Sequence, residues 1–319
     1  MPIPTPRTRL TALAAALAFG GLSACVTPTP AAPPRINPPP ARPDIAAPVV
    51  QASPASQAAR TYYAQVQQTL LSQGLLRTDG GGPDTPYTDR MLADNFIRAA
   101  LYDEYARSNG SFVQRETSSQ LRRWDVPVRV GLRFGASVPP ERQATDRARV
   151  ASYLARLASV TGHPIALSDS PNFWLYIVDE DERRALGPQI NAAMPGLSAS
   201  DVRGITDMPQ STYCLVYAMT EGGNAAYTRA FAVVRAEHPD LLRQSCIHEE
   251  IAQGLGLAND SPRARPSIFN DDEEFALLTG QDEAMLRMLY NPALRPGMSE
   301  PEARPIIQSL ASRLVGGES

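Results

Sequence analysis

One stretch of the chain, residues 246–260, holds most of the side chains that could do chemistry. It contains His248 followed directly by the carboxylates Glu249 and Glu250, and such groups act as general bases or bind cations. At about 100° of rotation per helical residue, Glu249 and Gln253 lie about 40° apart and share one helix face, whereas His248 and Gln253 lie about 140° apart and do not. The stretch therefore predicts a general base or a cation site on a helix.

The same stretch resembles the ligand helix of zinc peptidases in a shifted register. Read from His248, the pattern His-Glu-x-x-His fails, because its second ligand position falls on Ala252. Shifted by one residue, the segment resembles the metzincin pattern His-Glu-x-x-His-x-x-Gly-x-x-His-Asp. In that register the sequence reads Glu249-Glu250-x-x-Gln253-x-x-Gly256-x-x-Asn259-Asp260.

The metzincin resemblance implies a role for each matched position. Glu250 stands where the general base would be, and Gly256 stands where the helix ends. The three metal-ligand positions hold Glu249, Gln253 and Asn259. His248 lies outside the shared helix face and is a weaker candidate. It could act as a ligand from outside that face or as a base beside Glu249.

Two further segments extend the resemblance. Ser267-Ile268-Phe269-Asn270 resembles a Met-turn with Phe in place of Met, and 278–290 resembles the helix that follows this turn in matrix-type metallopeptidases. A second similarity rests on the segments Arg123-Trp124, Thr161-Gly162-His163-Pro164, Asp207-Met208-Pro209, Ser211-Thr212-Tyr213-Cys214 and 248–260. These segments resemble a proteobacterial envelope family, domain of unknown function 2927, which implies a zincin-like structure but no established activity.

The substituted ligand set changes the expected chemistry. Carboxylate and amide oxygens suit calcium, magnesium or manganese better than zinc, so a divalent cation is the cofactor to consider and zinc is disfavoured. Three outcomes stay open: a pseudoenzyme that binds peptide in the cleft, a hydrolase with a nonstandard metal and Glu250 as base, and a metal-free hydrolase. A fourth alternative is a non-catalytic envelope scaffold that holds its partner through residues 56–122.

Composition excludes several other chemistries. All thirty basic residues are arginine, so enzymes that need a Schiff-base, Walker A or kinase lysine are excluded. The chain has three histidines, His163, His238 and His248, of which the first two are interpreted as structural. The formal net charge of −3 offers no electrostatic footprint for nucleic acid.

The N-terminal residues have the layout of an export signal. Arg7 and Arg9 precede an apolar run over 10–22, which is shorter than a membrane span. Leu22-Ser23-Ala24-Cys25 resembles the lipobox of bacterial lipoproteins, which implies that residues 1–24 are removed and that Cys25 carries the lipid. Val26 rather than Asp follows the cysteine, which by the same resemblance favours the outer membrane facing the periplasm.

The residues after Cys25 predict a spacer. The segment 26–54 contains ten prolines in 29 residues and cannot bury enough apolar surface to fold, so 25–55 is interpreted as a lipid-anchored linker. The partners expected are the membrane, reached through this lipid, and an envelope protein or peptide. In an oxidising compartment Cys214 and Cys246 could form a disulfide or remain two buried thiols.

Periodicity predicts an α+β fold for the remainder. Helical patterns begin at Ser56 and at Asp89, the latter running through Tyr105, and define a helical N-terminal subdomain over 56–122. From residue 123 to 319, strands and helices alternate, among them an apolar strand over 173–178 and a helix over 179–193. This alternation predicts a mixed sheet with helices packed on it and suits a zincin-like domain with its active-site helix. The acidic run 271–274 is interpreted as the charged start of a helix before Phe275.

Overall fold

The computed structural model describes residues 52–108, 111–270 and 272–316. The leader, Cys25 and nearly all of the linker lie outside these residues, and their roles stay predictions. Residues 48–319 make up one compact unit. Within the described ranges, no helix is long and apolar enough to cross a membrane.

The secondary structure consists of a small hairpin, a larger sheet and helices around it. The helices are α1 (Pro54–Ser72), α2 (Asp89–Leu101), α3 (Pro140–Thr161), α4 (Glu180–Arg184), α5 (Gly187–Ala193), α6 (Ala199–Thr206), α7 (Asp240–Leu255), α8 (Gly280–Leu289) and α9 (Glu300–Gly316). The strands are β1 (Tyr102–Ser108), β2 (Ser111–Ser118), β3 (Val128–Phe134), β4 (Ile165–Leu167), β5 (Phe173–Val178), β6 (Cys214–Thr220) and β7 (Tyr227–Arg235).

The larger sheet is mixed, as the sequence predicts. Its strand order is β4-β3-β5-β7-β6. The first four of these strands run parallel, and β6 pairs antiparallel with β7 at one edge. Strands β1 and β2 form a separate antiparallel hairpin. The α+β class expected from the sequence is therefore confirmed.

Helices cover both faces of the central strands. Side chains of β5 alternate between the two faces: Phe173 and Leu175 join the core that includes residues of α3, α7 and α8, while Trp174 and Tyr176 pack toward α5 and α6. Each large apolar side chain that is fully buried this way stabilises the fold by about 1.5–3 kcal/mol. A strand buried on both faces explains the continuous apolar run over 173–178.

The N-terminal segment departs from the helical prediction. The apolar spacing from Asp89 fits a helix through Tyr105, but α2 ends at Leu101 and β1 begins at Tyr102. Residues 102–108 pair with 111–118, and this cross-strand pairing outweighs the local helical pattern. The segment 56–122 thus contains two helices and a hairpin.

Two other elements also differ from expectation. The helix expected over 179–193 is split into α4 and α5, because Pro188 has no amide hydrogen and restricts the residue before it. Asp272 to Glu274 start no helix: Glu274 pairs with Arg77 and Arg265, and α8 begins later, capped by Thr279. Asp271 lies outside the described residues.

Two buried arginines attach the loop after α6 to the sheet. Arg183 and Arg235 are both 1% exposed and both pair with Glu180. The Arg235 guanidinium also donates to the carbonyl oxygens of Met208 at 3.0 Å and Pro209 at 2.8 Å. Because a buried charge is costly unless it is paired and hydrogen-bonded, these contacts fix the loop after α6 against the sheet.

A buried ion pair between α3 and α7 provides a stability test. Arg243 and Asp146, joined at 2.8 Å, have side chains 4% and 1% exposed. We expect Arg243→Met to lower the free energy of unfolding by about 3–5 kcal/mol, because it leaves the Asp146 carboxylate buried and unpaired. Urea titration followed by circular dichroism measures the loss.

The neighbouring exposed pair is the matched control. Arg149 and Asp240, with side chains 38% and 45% exposed, join the same two helices. Arg149→Gln should cost less than about 1 kcal/mol. Equal losses for the two variants would contradict the role assigned to Arg243, whereas Asp146→Leu combined with Arg243→Met should recover much of the lost stability.

Candidate functional site

The stretch predicted to carry chemistry forms α7 and the loop that follows it. The helix comes directly after β7 and ends at Leu255, and Gly256 has a φ of 130°. A Cβ atom at Gly256 would lie 2.3 Å from the carbonyl oxygen of Arg122. Both the backbone angle and this close approach require glycine, so the helix ends where the resemblance placed its end.

A second glycine lets α7 lie close beneath the sheet. A Cβ atom at Gly254 would lie 2.6 Å from the Phe173 ring of β5. The indole Nε1 of Trp124 donates to the Gly254 carbonyl at 2.8 Å, which satisfies a carbonyl at the buried end of the helix. Trp124 is 1% exposed and stacks on Phe173. The chain before β3 thus anchors the end of α7.

A disulfide joins the edge strand to the helix. Cys214, the first residue of β6, is bonded to Cys246 in the middle of α7. The sequence left a disulfide and two thiols as alternatives, and the structure contains the disulfide. This bond holds the beginning of β6 over the face of α7 that carries the two glutamates.

The two glutamates of the motif lie at the start of the edge strand. Glu249 is half-buried, Glu250 is 3% exposed, and their carboxylates lie with the Cys214 sulfur within 4.8 Å of one another. Among the described residues, this is the one group of His, Cys, Asp and Glu atoms spaced closely enough for a shared ion. The sulfur is in a disulfide and is not a thiolate ligand, so this group offers two carboxylates.

The other two predicted ligands contact different parts of the protein. The Gln253 amide donates to the Asp260 carboxylate at 3.0 Å. The Asn259 amide donates to the Arg98 carbonyl at 3.1 Å, and its backbone N–H donates to the Ala99 carbonyl. Gln253 therefore stays near the loop after α7, whereas Asn259 is 2% exposed and attached to α2.

His248 is held as a neutral ring. It stacks on Tyr153 with ring centroids 3.8 Å apart, and its Nδ1 accepts the N–H of Leu278 at 3.2 Å. Burial, with a smaller effect of the Arg156 guanidinium, lowers the pKa of His248 to about 3. The Nδ1 lone pair is used in this hydrogen bond, which leaves the ring proton on Nε2. These contacts position α8 against α7.

These donors do not fit a catalytic zinc site. Zinc sites use imidazole, thiolate and carboxylate ligands, and the motif residues offer two carboxylates and two neutral amides. Glu250 as a base, His248 as a catalytic residue, and Glu249, Gln253 and Asn259 as ligands of a hard cation remain predictions. His163 and His238 lie elsewhere: His163 contacts the Val126 carbonyl at 2.9 Å, and the buried His238 packs against Tyr63.

A buried aspartate holds the turn that resembles a Met-turn. The Asp282 carboxylate accepts hydrogen bonds from the Ser267 hydroxyl at 2.6 Å, the Ile268 N–H at 3.1 Å, and the Thr279 N–H at 2.9 Å. Thr279 caps α8, and Asp282 completes its capping box. The spacing Thr-x-x-Asp before an apolar run is the sequence signal that would have marked this cap. Phe269, at the position of the methionine, is fully buried.

The stability provided by Asp282 should depend on pH. Burial outweighs its hydrogen bonds and raises the pKa of Asp282 to about 6, above the value of about 3.9 expected in the unfolded chain. The folded state then binds more protons than the unfolded state between these values. We expect wild-type unfolding free energy to fall, relative to Asp282→Asn, by about 1.4 kcal/mol per pH unit as pH rises from about 4 to 6.

Urea titrations of both proteins at several pH values across this window measure the difference. The Asn side chain cannot ionise and presents an N–H₂ group to hydrogen-bond donors, so the variant is also less stable at low pH. Its pH profile serves as the reference. Parallel curves for the two proteins would refute the raised pKa.

The comparisons with known proteins identify one family. The sequence profile described as Protein of unknown function (DUF2927) matches residues 89–309. This range includes the whole sheet, α7 and its loop, and α8, and it begins after α1. No curated protein and no solved structure matches the chain significantly. The match covers more than half of the chain, and the protein belongs to the DUF2927 family.

Proposed function

We propose that this protein is a bacterial envelope lipoprotein whose zincin-like domain binds an extended peptide or protein segment along the free edge of β6, without hydrolysing it. The observation that carries the proposal is the position of β6. It is the last strand of the sheet, antiparallel to its neighbour, and it lies above the motif helix with the two glutamates at its first residue. An edge strand in this position is a template for strand addition.

The order of elements supports a zincin-like domain. The edge strand β6 precedes the inner strand β7, which leads into α7 after only a short turn. Helix α7 ends at Leu255, with Gly256 as its C-cap. A turn whose backbone is held by Asp282 follows before α8. This is the order of edge strand, inner strand, motif helix and turn on which the metzincin resemblance depends. Helix α7 would then form the floor of a substrate cleft, and strand β6 would form one of its walls.

Strand β6 has the chemistry of a peptide-binding wall. All of its side chains are half-buried. Val216 and Ala218 pack toward the core that includes α7, while Leu215, Tyr217 and Met219 pack toward α6 on the other face. An added strand would place alternate side chains over α7 and α6 in the same way.

The disulfide contributes preorganisation to this wall. Cys214 is fixed to Cys246, so the beginning of β6 cannot separate from α7 when a ligand binds. An ordered edge loses less conformational entropy on binding than a flexible one does. The hydrogen-bonding groups along β6 are therefore held in position before a peptide arrives.

The motif favours binding over hydrolysis. A metallopeptidase base acts on a water whose pKa is lowered by the metal, and the amides of Gln253 and Asn259 donate to Asp260 and Arg98. Amide oxygens carry no charge and are weaker ligands for a cation than carboxylates are. Glu250 would then shape the cleft floor rather than activate water.

Backbone pairing gives the proposal its test. A phage-displayed library of random octapeptides is selected on the full chain, and the best peptide is synthesised with single N-methyl groups along its length. N-methylation at alternate positions should weaken binding by about tenfold or more, because each removes one strand hydrogen bond and adds a clash. Methylation at the intervening positions, whose N–H groups face solvent, is the matched control. Fluorescence anisotropy measures the affinity.

Two outcomes would overturn the binding-only proposal. A selection that yields no peptide, or N-methyl effects without alternation, would remove strand addition. The rival hydrolase would instead be established by stoichiometric bound metal together with peptide cleavage. That cleavage would be lost when the metal is removed by chelation and lost or reduced in Glu250→Gln. Glu283→Gln, an acid of α8 that pairs with Arg156, is the control for loss of a carboxylate.

The lipid anchor is tested on a different residue. Replacing Cys25 by Ser should leave the precursor unprocessed, because in the predicted lipobox the cysteine thiol receives the lipid. Fractionation of the envelope should find the wild-type chain in the outer-membrane fraction. A normal mature size for Cys25→Ser, measured by mass spectrometry, would contradict lipidation.

A further inference from the structure

A second concave site lies away from the β6 edge, between α2, α9 and the loop after α7. The cavity has a volume of about 330 Å³ and is lined by side chains of α2 and α9, by Tyr102 at the start of β1 and by the loop residue Arg263. This volume is at the lower end of the range found for small-molecule sites. The cavity takes no part in the proposed peptide groove.

Three arginines line this one cavity. They are Arg98 of α2, Arg263 of the loop and Arg304 of α9, and the one acidic side chain in the lining is Asp94. The nearby acids are Asp94 in the lining and Glu300, which pairs with Arg304, so the three arginines outnumber them in a chain whose net charge is −3. Guanidinium groups present planar forks of N–H donors that match oxyanions.

The donors of two of these arginines are available from the cavity. Arg263 is exposed, and within the described residues its side chain makes no ion pair or hydrogen bond. Arg304 donates to Glu300, and Glu300 also accepts the Tyr102 hydroxyl at 2.8 Å. One bond to Glu300 uses only part of the five N–H donors of Arg304.

The same cavity also has an apolar side. Met91, 39% exposed, is one of the few large apolar side chains that is exposed in the described part of the chain, and it lines the cavity with Ile97 and Tyr102. An exposed methionine beside arginines suits a ligand with a short apolar part and an anionic head. A bare inorganic anion would leave this side uncovered.

The cavity is built partly from the motif loop. Asn259 bonds through its side chain and backbone to the carbonyls of Arg98 and Ala99, at the end of α2. Four residues later the same loop supplies Arg263. The amide that stands at a metzincin ligand position thus fixes the loop that carries Arg263 against the helix that carries Arg98.

We infer that this cavity binds a small amphipathic oxyanion, a carboxylate or phosphate with a short hydrocarbon chain. Arg263 and Arg304 hold the oxygens of the head, and Met91 and Ile97 contact the chain. Arg98 completes the positively charged wall. Both head groups share the same recognition by guanidinium groups.

Isothermal titration calorimetry of the full chain tests the inference with three probes that each contain six carbon atoms: hexanoate, hexyl phosphate and hexanamide. At least one charged probe should bind with a Kd of about 1 mM or tighter, and the neutral hexanamide should bind at least about tenfold more weakly. The tighter of the two charged probes identifies the head group. Arg263→Gln and Arg304→Gln should each weaken that probe by about tenfold.

Arg313→Gln is the matched control. Arg313 lies on the exposed side of α9, where it donates to Ser309, and it does not line the cavity. Its substitution should leave the affinity unchanged, and circular dichroism verifies that all variants are folded. The inference is overturned if hexanamide binds as tightly as the charged probes, if none of the probes binds, or if the cavity variants behave like Arg313→Gln.

Discussion

The structure depends on the close contact between the end of α7 and the chain that enters β3. Side chains are excluded at Gly254 by Phe173 and at Gly256 by the Arg122 carbonyl, and the Trp124 indole bonds the helix end directly. This contact sets how deep the helix lies beneath the sheet. Once its depth is fixed, the height of β6 above the two glutamates follows, and so does the direction in which the loop after the helix leaves toward α2. A methyl group added at Gly256 would disturb all of these positions together.

The part of the fold that could be predicted is the part determined by local patterns. The apolar run 173–178 is a strand over the same residues, and the helix before Gly256 ends where the glycine requires it. Long-range pairing was not predictable: the 102–118 hairpin and the short β4 have no distinctive local pattern. At the site, no spacing rule could show that Asn259 bonds to α2. Such a contact depends on residues 161 positions away in sequence.

Three side chains of the motif segment have structural roles, and two of them, Gln253 and Asn259, stand at positions that resemble metzincin ligands. Gln253 connects the helix to Asp260, Asn259 connects the loop to α2, and His248 connects the helix to α8. The two amides use their N–H groups in these bonds, and His248 uses its Nδ1. These side chains therefore stabilise the loop after α7 and the start of α8 from inside the protein.

The buried guanidinium groups also make the protein respond differently to acid and to base. Arginine is the most basic of the side chains, and Arg183, Arg235 and Arg243 are buried in a chain that has no lysine to lose its proton in mild alkali. Their partners are carboxylates, which can be neutralised by protons. Acidification therefore converts internal pairs into uncompensated positive charges in the interior, whereas mild alkali causes no equivalent change.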